Sequence, residues 1–157
     1  MNREKGYTLI ETLVALSLMI ILSAGGLYGW QSWQQQQRLW QTATQLRDYL
    51  LFLRNDANWH NRDRLITAHY VETRWCLVAD TAITEGCPSG KPAVFLPPWP
   101  EVSLAAMTPS LGFYGLRNTA WAGSITLQSD AGRWEAILSG LGRVRLCQSD
   151  GGHQCQS

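Results

Sequence analysis

Hydrophobic and polar positions along this chain fall into three regimes. After a short polar start, Met1 to Gly6, the stretch from Tyr7 to Trp30 is apolar all round, with Glu11 its one acidic side chain. From Leu39 the apolar positions thin to a stripe. Leu39, Ala43, Leu46, Leu50, Leu53 and Ala57 recur at spacings of 4, 3, 4, 3 and 4, which is one continuous face of an α-helix. Trp33 and Trp40 flank that stripe, and Gln31, Gln34 to Gln37, Arg38, Gln45, Arg47 and Asp48 supply the polar face. The first proline is Pro88. A helix from Tyr7 to about Ala57 is therefore uninterrupted, a rod of roughly 75 Å at 1.5 Å per residue.

Gly25, Gly26 and Gly29 fall inside that helix, each costing about 1 kcal/mol relative to Ala. Gly25 and Gly29 have the spacing of the close-packing motif of membrane helices, but so dense a group of glycines more simply marks a stretch where the helix can bend. The run from Asn55 to Asp63 is rich in turn formers and is expected to end the helix, with His60 a loop or capping residue.

Beyond residue 63 the rhythm becomes that of strands. Arg64 to Glu72, Trp75 to Ala79, Ala93 to Leu96, Leu111 to Tyr114, Ser124 to Gln128, Trp134 to Leu138 and Val144 to Cys147 read as short strands between Gly, Pro, Asp and Ser. Ser124 to Leu138 has the form of a hairpin turning near Asp130 and Gly132. The prolines of Pro97-Pro98-Trp99-Pro100 exclude a central strand and make a stiff loop.

Composition narrows the class. At 157 residues with 45% apolar content the chain is neither a large enzyme nor a disordered tail. Thirteen basic against twelve acidic side chains leave a net charge of +1, too little to steer a polyanion from a distance. Eight tryptophans supply large rigid pieces for a small core.

Chemistry is sparse. Gly86-Cys-Pro-Ser-Gly90-Lys91-Pro92 superficially suggests a phosphate loop, but it has the wrong glycine spacing and Pro92 stands where Ser or Thr is required. His60, His69 and His153 accompany no nucleophile pattern, so no catalytic residue is expected. Cys76, Cys87, Cys147 and Cys155 allow three connectivities. In an oxidising compartment disulfides are favoured, and local pairing is expected because short loops then restrain loose ends. Metal spacing of the CxxC or CxxH kind is missing, and neither metal nor cofactor is expected.

Roughly 24 helical residues from Tyr7 to Trp30 span about 36 Å, enough to cross a hydrocarbon core of about 30 Å. Arg3 and Lys5 precede the run, which places the N-terminus in the cytoplasm and everything after Trp30 across the membrane. A cleaved secretory signal would have a shorter apolar region and an A-x-A-like end. A plain signal anchor fits the hydropathy but leaves Glu11 unexplained, since a carboxylate in the bilayer costs about 2.5–3.5 kcal/mol.

The segment Lys5-Gly6-Tyr7-Thr8-Leu9-Ile10-Glu11-Thr12-Leu13-Val14-Ala15-Leu16 resembles the class III signal of type IV prepilins and type II secretion pseudopilins. The resemblance implies cleavage by a prepilin peptidase between Gly6 and Tyr7 and N-methylation of Tyr7, which stands where the family usually has Phe. It also implies that Glu11 pairs with the Tyr7 amine of a neighbouring subunit and sets register. Removing residues 1–6 takes away Arg3, Lys5 and Glu4, so the mature chain is neutral. Longer stretches, among them Asp56 to Asp63, Trp75 to Val78, Trp99 to Val102 and Leu116 to Gly123, resemble the GspH/FimT-like minor pilins of the prepilin peptidase-dependent kind.

The fold expected from this resemblance and the patterning is α+β and pilin-like. A long N-terminal helix, half transmembrane and half amphipathic, packs on a small antiparallel β-sheet domain. The expected divisions are a leader at 1–6, a membrane and filament-core helix at 7–30, its amphipathic continuation at 31–58 and a periplasmic β-rich domain at 59–157. The resemblance further implies a subunit that joins other minor pilins and the major pilin at an inner-membrane assembly platform, primes a type IV pilus and sits near its tip. A type II secretion pseudopilin is the alternative.

Gly142-Arg143-Val144-Arg145 is a separate feature. Strand alternation puts both arginines on one face, where they are either solvated charges or a phosphate clamp that Arg117 and Arg133 could join. The tetrapeptide resembles a GRxR motif of FimT/GspH-like pilins, some of which bind DNA during uptake, so the resemblance implies a second alternative of DNA binding through Arg143 and Arg145.

Overall fold

The computed structural model describes residues 7–149 and 154–156. The leader at 1–6, including Gly6, and the loop residue His153 lie outside the described residues. Among the described residues one helix, α1 (Leu9–His60), precedes eleven strands: β1 (Arg64–Leu65), β2 (Thr67–Val71), β3 (Arg74–Val78), β4 (Val94–Phe95), β5 (Ser103–Met107), β6 (Gly112–Tyr114), β7 (Thr119–Trp121), β8 (Gly123–Ser129), β9 (Gly132–Leu138), β10 (Val144–Gln148) and β11 (Gln154–Gln156). The chain divides into two compact units, Met1–Gln34 and Gln35–Ser157.

In Met1–Gln34 the described part is helix from Leu9 onward, and the apolar side chains from Leu9 to Leu22 are exposed: Leu9 at 78%, Ile20 at 68%, Leu22 at 74%. Three of its hydroxyls are satisfied within the helix. Thr12 donates to the Leu9 carbonyl, Ser17 to those of Leu13 and Val14, and Ser23 to that of Met19. Such back-bonding removes the cost of a bare hydroxyl in an apolar medium. The backbone is helical through Gly25, Gly26 and Gly29, where an added Cβ would meet open space.

In Gln35–Ser157 the helical stripe is buried as its spacing requires. Leu46, Leu50, Leu53 and Ala57 are fully covered, and Thr42, also buried, donates its hydroxyl to the Arg38 carbonyl. Against this face lie three antiparallel sheets in the orders β1-β6-β7, β11-β10-β9-β8-β5 and β2-β3-β4. Aromatic pairs fill the core: Trp40 on Trp134 with ring centroids 4.6 Å apart, and Phe95 between Tyr49 and Trp75. Their polar handles are met, Trp75 Nε1–H by the Val102 carbonyl at 2.8 Å and the Tyr49 hydroxyl by the Ala93 carbonyl at 2.8 Å.

The helix outlasts its expected end at Ala57. Asn55 to Asn58 stay helical because Ala57 is buried, Asn58 bonds Asn118, and Asp56 holds Arg64 at 2.6 Å and His60 at 3.0 Å. The stop is Asn61, with φ 48°, followed by a bond from Arg62 N–H to the Ala57 carbonyl. This is the left-handed Schellman ending, in which Asn replaces the commoner Gly. His60 is thus the last helical residue, hydrogen-bonded to Asp56.

The Ser124 to Leu138 hairpin forms as β8 and β9, closing at Ser129 and Gly132. Three strands were not legible in the pattern: β5, β7 and β11. β5 is an Ala-rich edge with a bulge between Leu104 and Ala106, and β11 lies opposite β10 where Cys147 and Cys155 are cross-strand partners. Both local cysteine pairs are formed, Cys76–Cys87 and Cys147–Cys155.

Candidate functional site

Two places concentrate chemistry. The first is the start of α1. Tyr7 is 84% exposed and precedes the helix, while Glu11 lies in its first turn. Thr8 supplies the carbonyl that accepts from the backbone N–H groups of Glu11 and Thr12. A carboxylate at this end is favoured by the free N–H groups and the positive pole of the helix. Among the described residues Glu11 has no ion-pair partner. Downstream of it the helix is long and apolar enough to cross a membrane, and Trp30 and Trp33 stack at 5.3 Å where the apolar run gives way to glutamines. Tryptophans prefer that level of a bilayer, between hydrocarbon and water.

An aromatic thus precedes a carboxylate in the first turn of an exposed apolar helix. Residues 1–27 match the prokaryotic N-terminal methylation motif. No curated protein and no solved structure matches the chain. The motif is a type IV pilin-like prepilin signal, and together with the apolar helix it fits anchoring in a membrane. A methylation motif of this type generally implies a prepilin peptidase and assembly with other pilins.

The second place is the loop and strand carrying Arg143 and Arg145. Both are exposed while Val144 is buried, as alternation requires. Arg143 stands just before β10. Its N–H donates to the Ser139 hydroxyl, and its carbonyl accepts from the Ser139 N–H. Gly142 has φ +73°, and a Cβ there would lie 3.0 Å from Arg54 Nε. The backbone conformation favours glycine at that position, and Arg54 would have to shift to admit a side chain.

The arginines that join Arg143 and Arg145 are Arg47 and Arg54 of α1, which line one groove with them, whereas Arg117 and Arg133 do not line it. Sequence reading put Arg47 on the polar face and passed over Arg54. Their seven-residue spacing, two helical turns, was the available sign that they share a side.

Elsewhere, Gly86 and Gly90 take positive φ in a loop tied back by the Cys76–Cys87 bridge. Among the described residues no three His, Cys, Asp or Glu side chains gather as a metal site.

Proposed function

We propose that this chain is a minor pilin that co-assembles with other minor pilins to prime a type IV pilus, near the filament tip. The observation that carries the reading is the methylation motif at residues 1–27 leading into an apolar helix with no tertiary cover. Cutting between Gly6 and Tyr7 leaves that helix on the mature protein, where it packs against related helices. Methylation falls on the new N-terminus, Tyr7. Glu11, without an ion-pair partner among the described residues, then meets the terminal amine of a neighbour, and one charge pair in a low-dielectric bundle sets register. Before assembly the protein spans the inner membrane once with its N-terminus cytoplasmic and Gln35–Ser157 periplasmic. Its partners are the prepilin peptidase, the assembly platform, the other minor pilins and the major pilin. The role is structural, not catalytic. Segments such as Asp56 to Asp63 and Leu116 to Gly123 support placing it with the GspH/FimT-like, prepilin peptidase-dependent pilins.

A type II secretion pseudopilin shares the same signal and helix. A deletion strain scored together for surface pili and secretion separates the two. Loss of pili with normal secretion supports the proposal, and the reverse transfers the protein to the secretion system. Supplied back to that deletion strain, Glu11→Ala is expected to be cleaved normally yet to reduce co-purification of the minor-pilin complex. Unchanged co-purification removes the register role from Glu11.

A further inference from the structure

Two grooves on Gln35–Ser157 share the side chains of Arg143 and Arg145. The larger, ≈ 500 Å³, has Arg47, Leu51 and Arg54 of α1 as its other wall and Val144 beside them. The smaller, ≈ 280 Å³, is completed by Ile137, Ser139 and Leu141. Arg145 sits directly opposite Ile137 in the β9–β10 ladder, and Ile137 and Leu141 are 38% and 65% exposed. Basic and aliphatic surface are thus contiguous, joined by the same two arginines.

The charge in the larger groove is poorly compensated. Among the described residues, the acidic group paired with any of its four arginines is Asp48, 3.5 Å from Arg47 and itself 64% exposed. The Nε atoms of Arg47 and Arg54 are buried without a hydrogen-bond partner. Like charges drawn together around a concavity, with donors already removed from water, are an arrangement that an anion relieves.

We infer that this double groove docks an acidic, aliphatic peptide segment of a partner protein, carboxylates on the arginine forks and an apolar side chain against Ile137 and Leu141. Arginine forks match carboxylate as well as phosphate. Three features favour the peptide over nucleic acid. The apolar wall is aliphatic, whereas single strands are held by stacking on aromatics. The chain's net charge of +1 gives no long-range attraction for a polyanion. Arginine is among the side chains enriched where binding energy concentrates in protein–protein interfaces. The inference rests on the assembly reading only in taking the partner to be a protein.

The test uses the full-length chain in nonionic detergent micelles at physiological salt. The probe is a short labelled peptide of alternating Glu and Leu between Gly-Ser flanks, set beside its Gln-for-Glu counterpart and a labelled DNA duplex. The acidic peptide should bind, and the Gln version should bind at least about tenfold more weakly, the scale of losing one or two charge-assisted hydrogen bonds. The exposed pair Arg143→Gln, Arg145→Gln should weaken the acidic peptide by about tenfold or more while tryptophan near-UV dichroism stays unchanged. Arg47→Gln with Arg54→Gln should do the same. Leu141→Ser should weaken the peptide and leave DNA unaffected. Tighter binding of DNA than of peptide, lost in both arginine double variants, overturns the inference in favour of a nucleic-acid site. Equal peptide binding by wild type and Arg143→Gln, Arg145→Gln overturns it in favour of solvated arginines. Neither outcome touches the assembly reading, which the deletion strain tests separately.

Discussion

The two stretches of α1 have the same backbone and opposite fates. Between Leu9 and Leu22 its leucines and isoleucines are exposed, Leu16 at 57% and Ile20 at 68%, while between Gln35 and His60 Leu46, Leu50 and Leu53 are wholly buried. A buried leucine stabilises a fold by about 1.5–3 kcal/mol relative to an exposed one. The later stretch collects that stabilisation from its own sheets. The earlier stretch has no such cover among the described residues, and lipid or other helices are what would supply it. Pattern explains the difference. A helix apolar all round has no solvent face and suits a membrane or bundle, whereas a stripe over a polar back suits one flank of a small domain.

The largest expected effect separates the stretches directly. Leu46→Ala should lower the unfolding free energy of Gln35–Ser157 by about 2–5 kcal/mol, because it opens a cavity in a closed core. Leu16→Ala should change it by less than about 0.5 kcal/mol, since that side chain is 57% exposed. Thermal melts of the full chain in detergent, followed by tryptophan near-UV dichroism, check both. A large shift from Leu16→Ala would erase the distinction.

A smaller effect sharpens it through pH. Burial holds the Tyr49 phenol well above its usual range, against a smaller opposing pull from Arg64. The unfolded chain therefore loses this proton first, at about pH 10. The native state keeps it longer, so its contribution is complete below pH 10 and is lost as pH climbs from there toward the raised native value. Tyr49→Phe should cost about 1 kcal/mol at neutral pH through the lost bond to the Ala93 carbonyl. It should also flatten the alkaline fall in stability. Denaturant titrations at neutral pH and above pH 10 measure both, and parallel pH profiles for wild type and variant would contradict the buried-phenol account.

Much of this was legible in the sequence wherever one rule acts alone. The Leu39 to Ala57 spacing is helical and nothing competes with it, so the buried face followed. The helix end was misplaced because Asn55, Asp56 and Asn58 are turn formers by local preference, yet each is held in the helix by a partner distant in sequence or by the buried turn around Ala57. Within the run from Asn55 to Asp63, Asn61 is the residue that takes the left-handed conformation. β5 escaped because Leu104-Ala105-Ala106 lacks β-branched residues, and its pairing with β8 decides its state. β11 escaped because a three-residue strand of glutamines and a cysteine carries no alternation, and its partner is fixed by the Cys147–Cys155 bridge. The prepilin signal was legible because it is local. The arginine groove was only half legible, because Arg143 and Arg145 announce themselves as a tetrapeptide while Arg47 and Arg54 join them through the fold.

The central claim is that the apolar stretch of α1 is retained on a processed protein and begins at Tyr7. Intact mass and N-terminal fragmentation of the protein purified from membranes of its native host test it most directly. The account predicts a chain starting at N-methylated Tyr7, with residues 1–6 absent, and an uncut precursor when Gly6→Leu is introduced. An unprocessed N-terminus in the wild type, or a cut within or after the apolar run, would contradict it.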